Sequence, residues 1–164
     1  MKYNELSKII LQELKTKLEN HKGLSVFAKH RAKFEGWLKV EVCEILTKYF
    51  NNVIPEDRRI DITFDDWAIE LKTLNTNIRY KNVINKQRPI TENTKGVIKD
   101  IKQLRKKDFT NKAVLFITFP IERENANWQI QLKRITSELS EDIKFCQFNF
   151  DNNIATGVIY FGLV

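Results

Sequence analysis

The sequence predicts a single α/β domain in which helices pack around a mixed β-sheet. Apolar residues recur at helical spacing in the N-terminal third of the chain, whereas from Arg59 onward they begin to alternate as in strands. Helical segments then separate the later strands, and no linker rich in Pro, Gly or Ser divides the 164 residues. A chain of this length is sufficient for one buried core.

The first half of the chain predicts two helices followed by two or three strands. Helical spacing indicates a helix over residues 3–20 and a second, longer helix over residues 25–50, with Pro55 ending the helical region. Alternating residues then predict strands at 59–64 and 67–74. The two residues between these strands are consistent with a tight hairpin.

The second half predicts a loop and then a mixture of helices and strands. The polar, basic stretch 75–93 is expected to be a loop, and Thr94 is expected to cap a helix that ends near Lys107. The remaining expected elements are a buried strand at 113–119, a helix at about 127–139, and strands at 143–150 and 154–162.

Composition excludes several classes of site and of protein. Two histidines are too few for a zinc–histidine cluster, and the five glycines form neither a phosphate-binding loop nor a dinucleotide fingerprint. No apolar run approaches the roughly 18 residues that span a bilayer, and the N-terminus lacks the features of a secretory signal. Cys43 and Cys146 are isolated in apolar segments, which is typical of buried reduced thiols. We therefore expect a cytoplasmic protein that does not contact membranes.

The net charge of +7 is concentrated in one part of the sequence. Residues 72–112 contain twelve Lys or Arg and three Asp or Glu, a sum of +9, so the rest of the chain carries −2. Such a concentration favours a polyanionic partner, nucleic acid first, because each neutralised phosphate releases counterions. A solvated basic surface without a ligand is the alternative interpretation.

The predicted hairpin brings two carboxylates together. A two-residue turn at Asp65-Asp66 pairs Phe64 with Trp67 and places Asp61 directly opposite Glu70, within about 5 Å. Lys72 points to the same face as Glu70, because side chains alternate along a strand. Opposed carboxylates are destabilising unless a cation compensates them.

Two carboxylates and a lysine are the groups that metal-assisted phosphodiester hydrolysis requires. The oxygens would hold Mg²⁺, and the lysine would position or deprotonate the attacking water. The Glu-x-Lys spacing alone proves little, since Asp or Glu also stands two residues before Lys15, Lys102 and Lys144. Only at Lys72 does the pattern combine a strand, a partner acid and a hairpin. A solvated, charged face of an edge hairpin is the structural alternative.

A further carboxylate is expected from the second predicted helix. On a helical wheel Glu41 falls in the middle of the apolar stripe, where an unpaired carboxylate is costly. Glu41 is therefore predicted to face the metal site, with Glu35 as the second choice. A buried Glu41 paired with Arg58 or Arg59 is the alternative.

These residues together resemble the PD-(D/E)XK phosphodiesterase superfamily, which includes restriction endonucleases and Holliday-junction resolvases. The resemblance covers about residues 27–119 and is carried by Asp61, by Glu70-Leu71-Lys72 and by the preceding helical segment 34–41. One departure is Ile60, which stands before Asp61 where the family pattern has proline.

The resemblance implies a restriction-endonuclease-like helix-strand-strand-strand-helix-strand core with helices flanking a mixed sheet. It implies that Asp61, Glu70 and Glu41 bind Mg²⁺, for which Mn²⁺ would substitute, and that Lys72 assists catalysis. The expected organisation is one nuclease-like domain over 1–164, divided into an N-terminal helix (1–24), a catalytic core (25–119), and a helix with two C-terminal strands (120–164).

The basic segment would then lie beside the active site. Four lysines form a stripe on one side of the predicted third helix, and four further cations lie in the preceding loop. The expected nucleic-acid-binding residues are Lys95, Lys99, Lys102, Lys106, Arg79, Lys81, Lys86 and Arg88. They would follow a phosphate backbone without reading its sequence.

The sequence thus predicts an Mg²⁺-dependent endonuclease that acts on nucleic acid, DNA rather than RNA. A homodimer is expected only by analogy with relatives that cut duplexes as dimers. Two alternatives stay open: a noncatalytic nucleic-acid-binding or protein-interaction module that retains the nuclease fold, and a structural protein with a basic surface.

Overall fold

The computed structural model describes residues 1–84 and 89–164, which form an α/β fold with helices on both faces of a mixed sheet. The helices over this part of the chain are α1 (Tyr3–Glu19), α2 (Lys22–Lys29), α3 (Glu35–Thr47), α4 (Ile90–Leu104) and α5 (Ala126–Thr136). The strands are β1 (Ile54–Asp57), β2 (Ile60–Phe64), β3 (Trp67–Asn75), β4 (Asn111–Phe119), β5 (Lys144–Asn149) and β6 (Thr156–Leu163).

The six strands form one sheet in the order β1-β2-β3-β4-β6-β5. The pairs β1–β2, β2–β3, β4–β6 and β6–β5 are antiparallel, whereas β3 and β4 are parallel and are connected through α4. The α/β class and the mixed sheet expected from the sequence are confirmed. From α3 to β4 the element order is helix, strand, strand, strand, helix, strand.

Each face of the sheet has its own apolar core because strand side chains alternate. Leu71, Leu115 and Ile159 point towards α1, α2 and α3, whose buried leucines fill the larger core. Leu74, Phe116 and Tyr160 point towards α4 and α5 on the other face. The site described below lies in β2 and β3, so its side chains are held between these two helical layers.

The expected single helix over residues 25–50 is wrong, because the chain breaks between α2 and α3. Arg31 lies in this break with φ of 53° and is only 2% exposed. Its guanidinium donates hydrogen bonds to the carbonyl oxygens of Thr76, Ile78 and Ile84. These acceptors lie more than forty residues away in sequence, so local spacing gives no sign that the helix ends there.

Strand β1, a short strand at the edge of the sheet, is the third strand that the sequence left open. Its residues are mostly exposed and do not alternate between buried and exposed, so they lack the sequence pattern of a half-buried strand. The helical region ends before Pro55, as expected, but α3 already ends at Thr47, and Pro55 lies inside β1 and pairs with Ile62.

Helix α4 begins five residues earlier than the sequence predicts, with Pro89 and not Thr94 at the N-cap position. Thr94 is fully buried and its hydroxyl donates to the carbonyl oxygen of Ile90, so it lies inside the helix and does not cap it. Residues 76–84 contain no helix or strand, as expected, but they are anchored to the body of the fold. The Tyr80 hydroxyl lies 2.8 Å from that of Thr156, and the Ile84 N–H donates to the Lys29 carbonyl.

None of the helices in residues 1–84 and 89–164 combines the length and the apolar character needed to cross a membrane.

Candidate active site

The Asp61 and Glu70 carboxyls meet across the β2–β3 hairpin, as the register predicts. Phe64 pairs with Trp67 and Ile62 with Ile69, which continues to Asp61 opposite Glu70. The two carboxyls are hydrogen-bonded to each other, and both are partly buried. Asp65 adopts φ of 46° in the turn, a conformation that Asp tolerates better than most residues, so Asp65-Asp66 can close the hairpin in this register.

The carboxylates of Asp61 and Glu35 also complete the backbone hydrogen bonding of β3. Beyond Leu71, β3 has no strand neighbour on its β2 side, because β2 begins at Ile60. The Asp61 carboxylate accepts from the Leu71 N–H at 2.8 Å, and the Glu35 carboxylate of α3 accepts from the Thr73 N–H at 3.1 Å. The two N–H donors flank Lys72 in sequence. These hydrogen bonds therefore fix two carboxylates along one edge of β3.

Lys39 of α3 is the principal cationic partner of Asp61. Its ammonium lies 2.7 Å from the Asp61 carboxylate and also contacts Glu56 of β1. Burial alone would raise the pKa of Asp61, but the hydrogen bonds from Lys39, the Leu71 N–H and Glu70 outweigh it and lower the pKa. Asp61 is therefore the ionised member of the carboxyl pair.

Glu70 has the opposite electrostatic environment. Burial, the hydrogen bond with Asp61, and the negative charges of Asp61 and Asp100 together raise the pKa of Glu70 to about 8. Lys72 opposes this shift without overcoming it. In the absence of an added cation, Glu70 is therefore mostly protonated at neutral pH and shares its proton with Asp61.

The Lys72 ammonium lies 2.8 Å from the Asp100 carboxylate of α4, on the face of the sheet opposite α3. Burial would lower the pKa of Lys72, but the hydrogen bond with Asp100 and the charges of Asp100, Glu35 and Asp61 raise it overall. Lys72 is thus held in its charged form. The lysine stem passes beside Gly96 of α4, where a Cβ would lie 4.0 Å from the Lys72 Cε, an ordinary van der Waals distance.

The structure does not bring Glu41 to this site. Its carboxylate lies 2.6 Å from the ammonium of Lys17 in α1, which also binds Glu44. The helical wheel was misleading because it included Phe27, which belongs to a separate helix, and Tyr49, which is 48% exposed. Glu35, the second choice, is the acid of α3 that reaches β3.

The four lysines of the α4 stripe are all exposed, as expected for one solvated helix side. Lys95 is ion-paired with Glu92 at 2.8 Å, and Lys102 with Glu138 at 3.3 Å. Lys106 lines a cavity that Glu70 also lines. The stripe, which also includes Lys99, therefore approaches the carboxyl pair at its C-terminal end.

The loop cations are less closely connected with the carboxyl pair. Arg79 is exposed and lines a separate cavity with Ile121 and Glu122, and Lys81 is exposed on the anchored segment 76–84. The expected binding residues Lys86 and Arg88 lie outside the described residues.

Sequence reasoning did not identify Lys39 and Asp100 as members of this site. Lys39 lies one helical turn after Glu35, so that spacing could have placed both residues on the side of α3 facing β2 and β3. Asp100 belongs to an Asp-x-Lys run in a helix, and its contact with Lys72 depends on the packing of α4 against the sheet.

The donor set can be tested against the requirements of Mg²⁺. Among residues 1–84 and 89–164, no group of three or more His, Cys, Asp or Glu side chains is arranged to hold a metal ion. Mg²⁺ usually retains several waters, however, and binds through only one or two carboxylates together with substrate phosphates. Asp61 and Glu70 in mutual contact meet that smaller requirement.

No protein-family model matches the chain, and no curated protein or solved structure matches it either.

Proposed function

We propose that this protein is a metal-dependent endonuclease that hydrolyses phosphodiester bonds of nucleic acid, with DNA favoured over RNA. The observation that carries the proposal is the hydrogen-bonded pair of Asp61 and Glu70, with Lys72 on the same strand as Glu70. A restriction-endonuclease-like topology is part of the proposal, supported by the element order from α3 to β4 and the parallel β3–β4 pair.

Each residue has a chemical task in this proposal. Asp61 is held in its ionised form by Lys39 and the Leu71 N–H and would be the constant metal ligand. Glu70 would release its proton when a cation arrives, because the cation replaces the charge that the pair lacks. Bound Mg²⁺ would supply Lewis acidity and an acidified water.

Lys72 would act as a cation and not as a base. Its pKa is raised, so removal of a proton from water by this ammonium is disfavoured at neutral pH. A charged Lys72 would instead hold a phosphate oxygen or orient the attacking water. Glu35, whose carboxylate contacts the Thr73 N–H, replaces Glu41 in the proposal as the additional acid.

One observation favours the noncatalytic alternative, a module that binds nucleic acid or protein without cleaving it. Lys39 already neutralises Asp61, and Asp100 already neutralises Lys72. A carboxyl pair that keeps these partners permanently would have no need of a metal.

Cleavage assays on two lysine variants separate these functions. Supercoiled plasmid and a structured RNA are incubated with the wild-type protein in Mg²⁺, in Mn²⁺ and in EDTA. We expect nicking that requires metal and is lost at least a hundredfold in Lys72→Ala, since stabilisation of a transition-state charge contributes on the order of 3 kcal/mol. Retained binding of the uncut substrate by Lys72→Ala separates lost chemistry from lost affinity.

The matched control is Lys144→Ala. Lys144 is also preceded two residues earlier by an acid and also lies on a strand, but that strand, β5, is at the other edge of the sheet. Its cleavage should equal that of the wild type. Binding without cleavage under all metal conditions would contradict the nuclease and support the noncatalytic module.

A further inference from the structure

A cavity of about 400 Å³ opens beside the carboxyl pair. Its lining residues come from three parts of the fold: the turn between β1 and β2, strand β3, and the C-terminal end of α4 with the residues that directly follow it. They are Arg59, Glu70, Gln103, Lys106 and Lys107. Three of these five residues are cations, and one is the carboxyl residue proposed to take part in the chemistry.

The β1–β2 turn carries arginine at two unfavourable backbone positions. Arg58 and Arg59 have φ of 50° and 64°. Two-residue hairpin turns in which both residues have positive φ usually contain Asn or Gly, because this left-handed conformation costs other residues about 1 kcal/mol each. Residues held at such a cost are found most often where their side chains have a role in binding or catalysis.

Contacts with the end of α4 hold the turn in place. The Lys107 ammonium donates to the Arg58 carbonyl oxygen at 2.7 Å, and the Arg58 guanidinium lies 5.1 Å from the centre of the Phe109 ring. Arg58 and Lys107 therefore fasten the turn to the segment that follows α4. The neighbouring Arg59 side chain remains exposed and faces the cavity.

The charges around the cavity favour an anion held by side chains. The carboxyl end of α4 carries a partial negative charge, so the helix itself would repel an anion and cannot provide the site. Arg59, Lys106 and Lys107 supply three positive charges at the same place, and the Gln103 amide can donate a further hydrogen bond.

We propose that this cavity binds a backbone phosphate of the nucleic-acid strand, adjacent to the phosphate that lies against Asp61 and Glu70. The inference rests on the proposed nuclease function and adds to it the position of the substrate strand, which would pass between the β1–β2 turn and the end of α4. Contacts of this kind fix the position of a strand and do not read its sequence.

Binding in EDTA tests the subsite without any requirement for cleavage. Anisotropy of a fluorescent 20-base-pair DNA duplex is measured between 50 and 300 mM salt for the wild type and for Arg59→Gln/Lys106→Gln. Both side chains are exposed, so the double variant should fold normally. We expect its Kd to rise about tenfold or more, and the slope of log K against log salt to fall by about one for each cation removed.

The matched control is Lys8→Gln/Lys22→Gln, which removes the same charge from α1 and α2. These two lysines are exposed, and their helices pack on the face of the sheet opposite α4. The control should bind within about twofold of the wild type, with an unchanged salt slope.

Equal loss of affinity in both double variants would overturn the subsite, because it would mean that only net charge matters. Unchanged affinity in the Arg59 and Lys106 variant would also overturn it. Cleavage of plasmid in Mg²⁺ is scored separately on the same proteins. A wild type that cleaves while its Arg59 and Lys106 variant binds normally retains the nuclease and loses only the subsite.

Discussion

At the scale of single residues, the unequal ionisation of Asp61 and Glu70 is the most informative property of the site. The same hydrogen bond between them lowers the pKa of one carboxyl and raises that of the other. Lys39 and the Leu71 N–H stabilise charge on Asp61, whereas Glu70 receives negative charge from both Asp61 and Asp100. The pair therefore behaves as a single proton-holding unit whose charge a cation would change.

The first residue-scale prediction concerns how the free energy of unfolding, measured in EDTA, depends on pH. The pKa of Glu70 is about 8 in the folded protein and near its ordinary 4.5 when unfolded, so the folded state binds the extra proton. This contribution is fully present below pH 4.5 and is lost as pH rises towards 8. Asp61, with its lowered pKa, loses its contribution only in more acidic solution, so the two windows are separate.

Urea unfolding of the wild type and Glu70→Gln measures this effect. As the pH rises from 5 to 8.5, we expect the free energy of unfolding of Glu70→Gln to increase by about 1–2 kcal/mol relative to that of the wild type. The control is Glu124→Gln, whose side chain is 75% exposed and which should show no such trend. A constant difference between wild type and Glu70→Gln across this range would contradict the assignment of the raised pKa.

At the scale of elements, α3 determines which acids reach β3. Glu35 and Lys39 lie one turn apart and contact Thr73 and Asp61, respectively. Glu41 lies on another side of the helix and contacts Lys17 of α1. One short helix thus separates an acid beside the candidate site from an acid in an ordinary surface ion-pair network.

A comparison of two isosteric variants tests this division. We expect Glu35→Gln to reduce metal-dependent cleavage about tenfold or more and to weaken the stabilisation of the fold by Mg²⁺, since charge near the metal is lost. Glu41→Gln, which breaks a partly buried pair with Lys17, should cost about 1 kcal/mol in stability and leave cleavage unchanged. A cleavage defect confined to Glu41→Gln would restore the assignment made from the sequence.

Local sequence signals were sufficient for the hairpin and insufficient for α3. A two-residue turn fixes the register of adjacent strands, so Asp61 and Glu70 could be paired from a few residues. The choice between Glu35 and Glu41 depended on where α3 begins, and that depends on Arg31. Asp100, the ion-pair partner of Lys72, could not be identified from the sequence. The apolar pattern of α4 shows which side of the helix packs on the sheet, but it does not show which strand residues each helix residue contacts.

At the scale of the whole molecule, buried Arg31 joins parts of the chain that are distant in sequence. It lies between α2 and α3 and donates to carbonyls of the segment that follows β3. The Arg31 carbonyl in turn accepts from the Asn75 side-chain amide at 2.6 Å. The fold class was predictable from alternating patterns, but this long-range anchoring was not.

We expect Arg31→Asn to destabilise the fold by about 3 kcal/mol, because several buried carbonyls lose a charged donor. Asn tolerates a left-handed φ, so the loss would come from hydrogen bonds and packing and not from the backbone. Urea unfolding gives the free energy, and limited proteolysis should show faster cleavage within residues 76–84. Arg134→Asn, at an exposed position of α5, is the control. Unfolding midpoints that agree for both variants would show that Arg31 does not anchor this segment.

The irregular geometry of β1 has a consequence for self-association. An edge strand with free N–H groups invites a second chain to extend the sheet, and natural proteins block such edges. Pro55 has no N–H to donate, and Glu56 has φ of 56° in the middle of the strand, which bends the backbone out of extended geometry. This edge is therefore protected against edge-to-edge aggregation. A homodimer of this protein would have to pair through another surface and leave β1 as the boundary of its sheet.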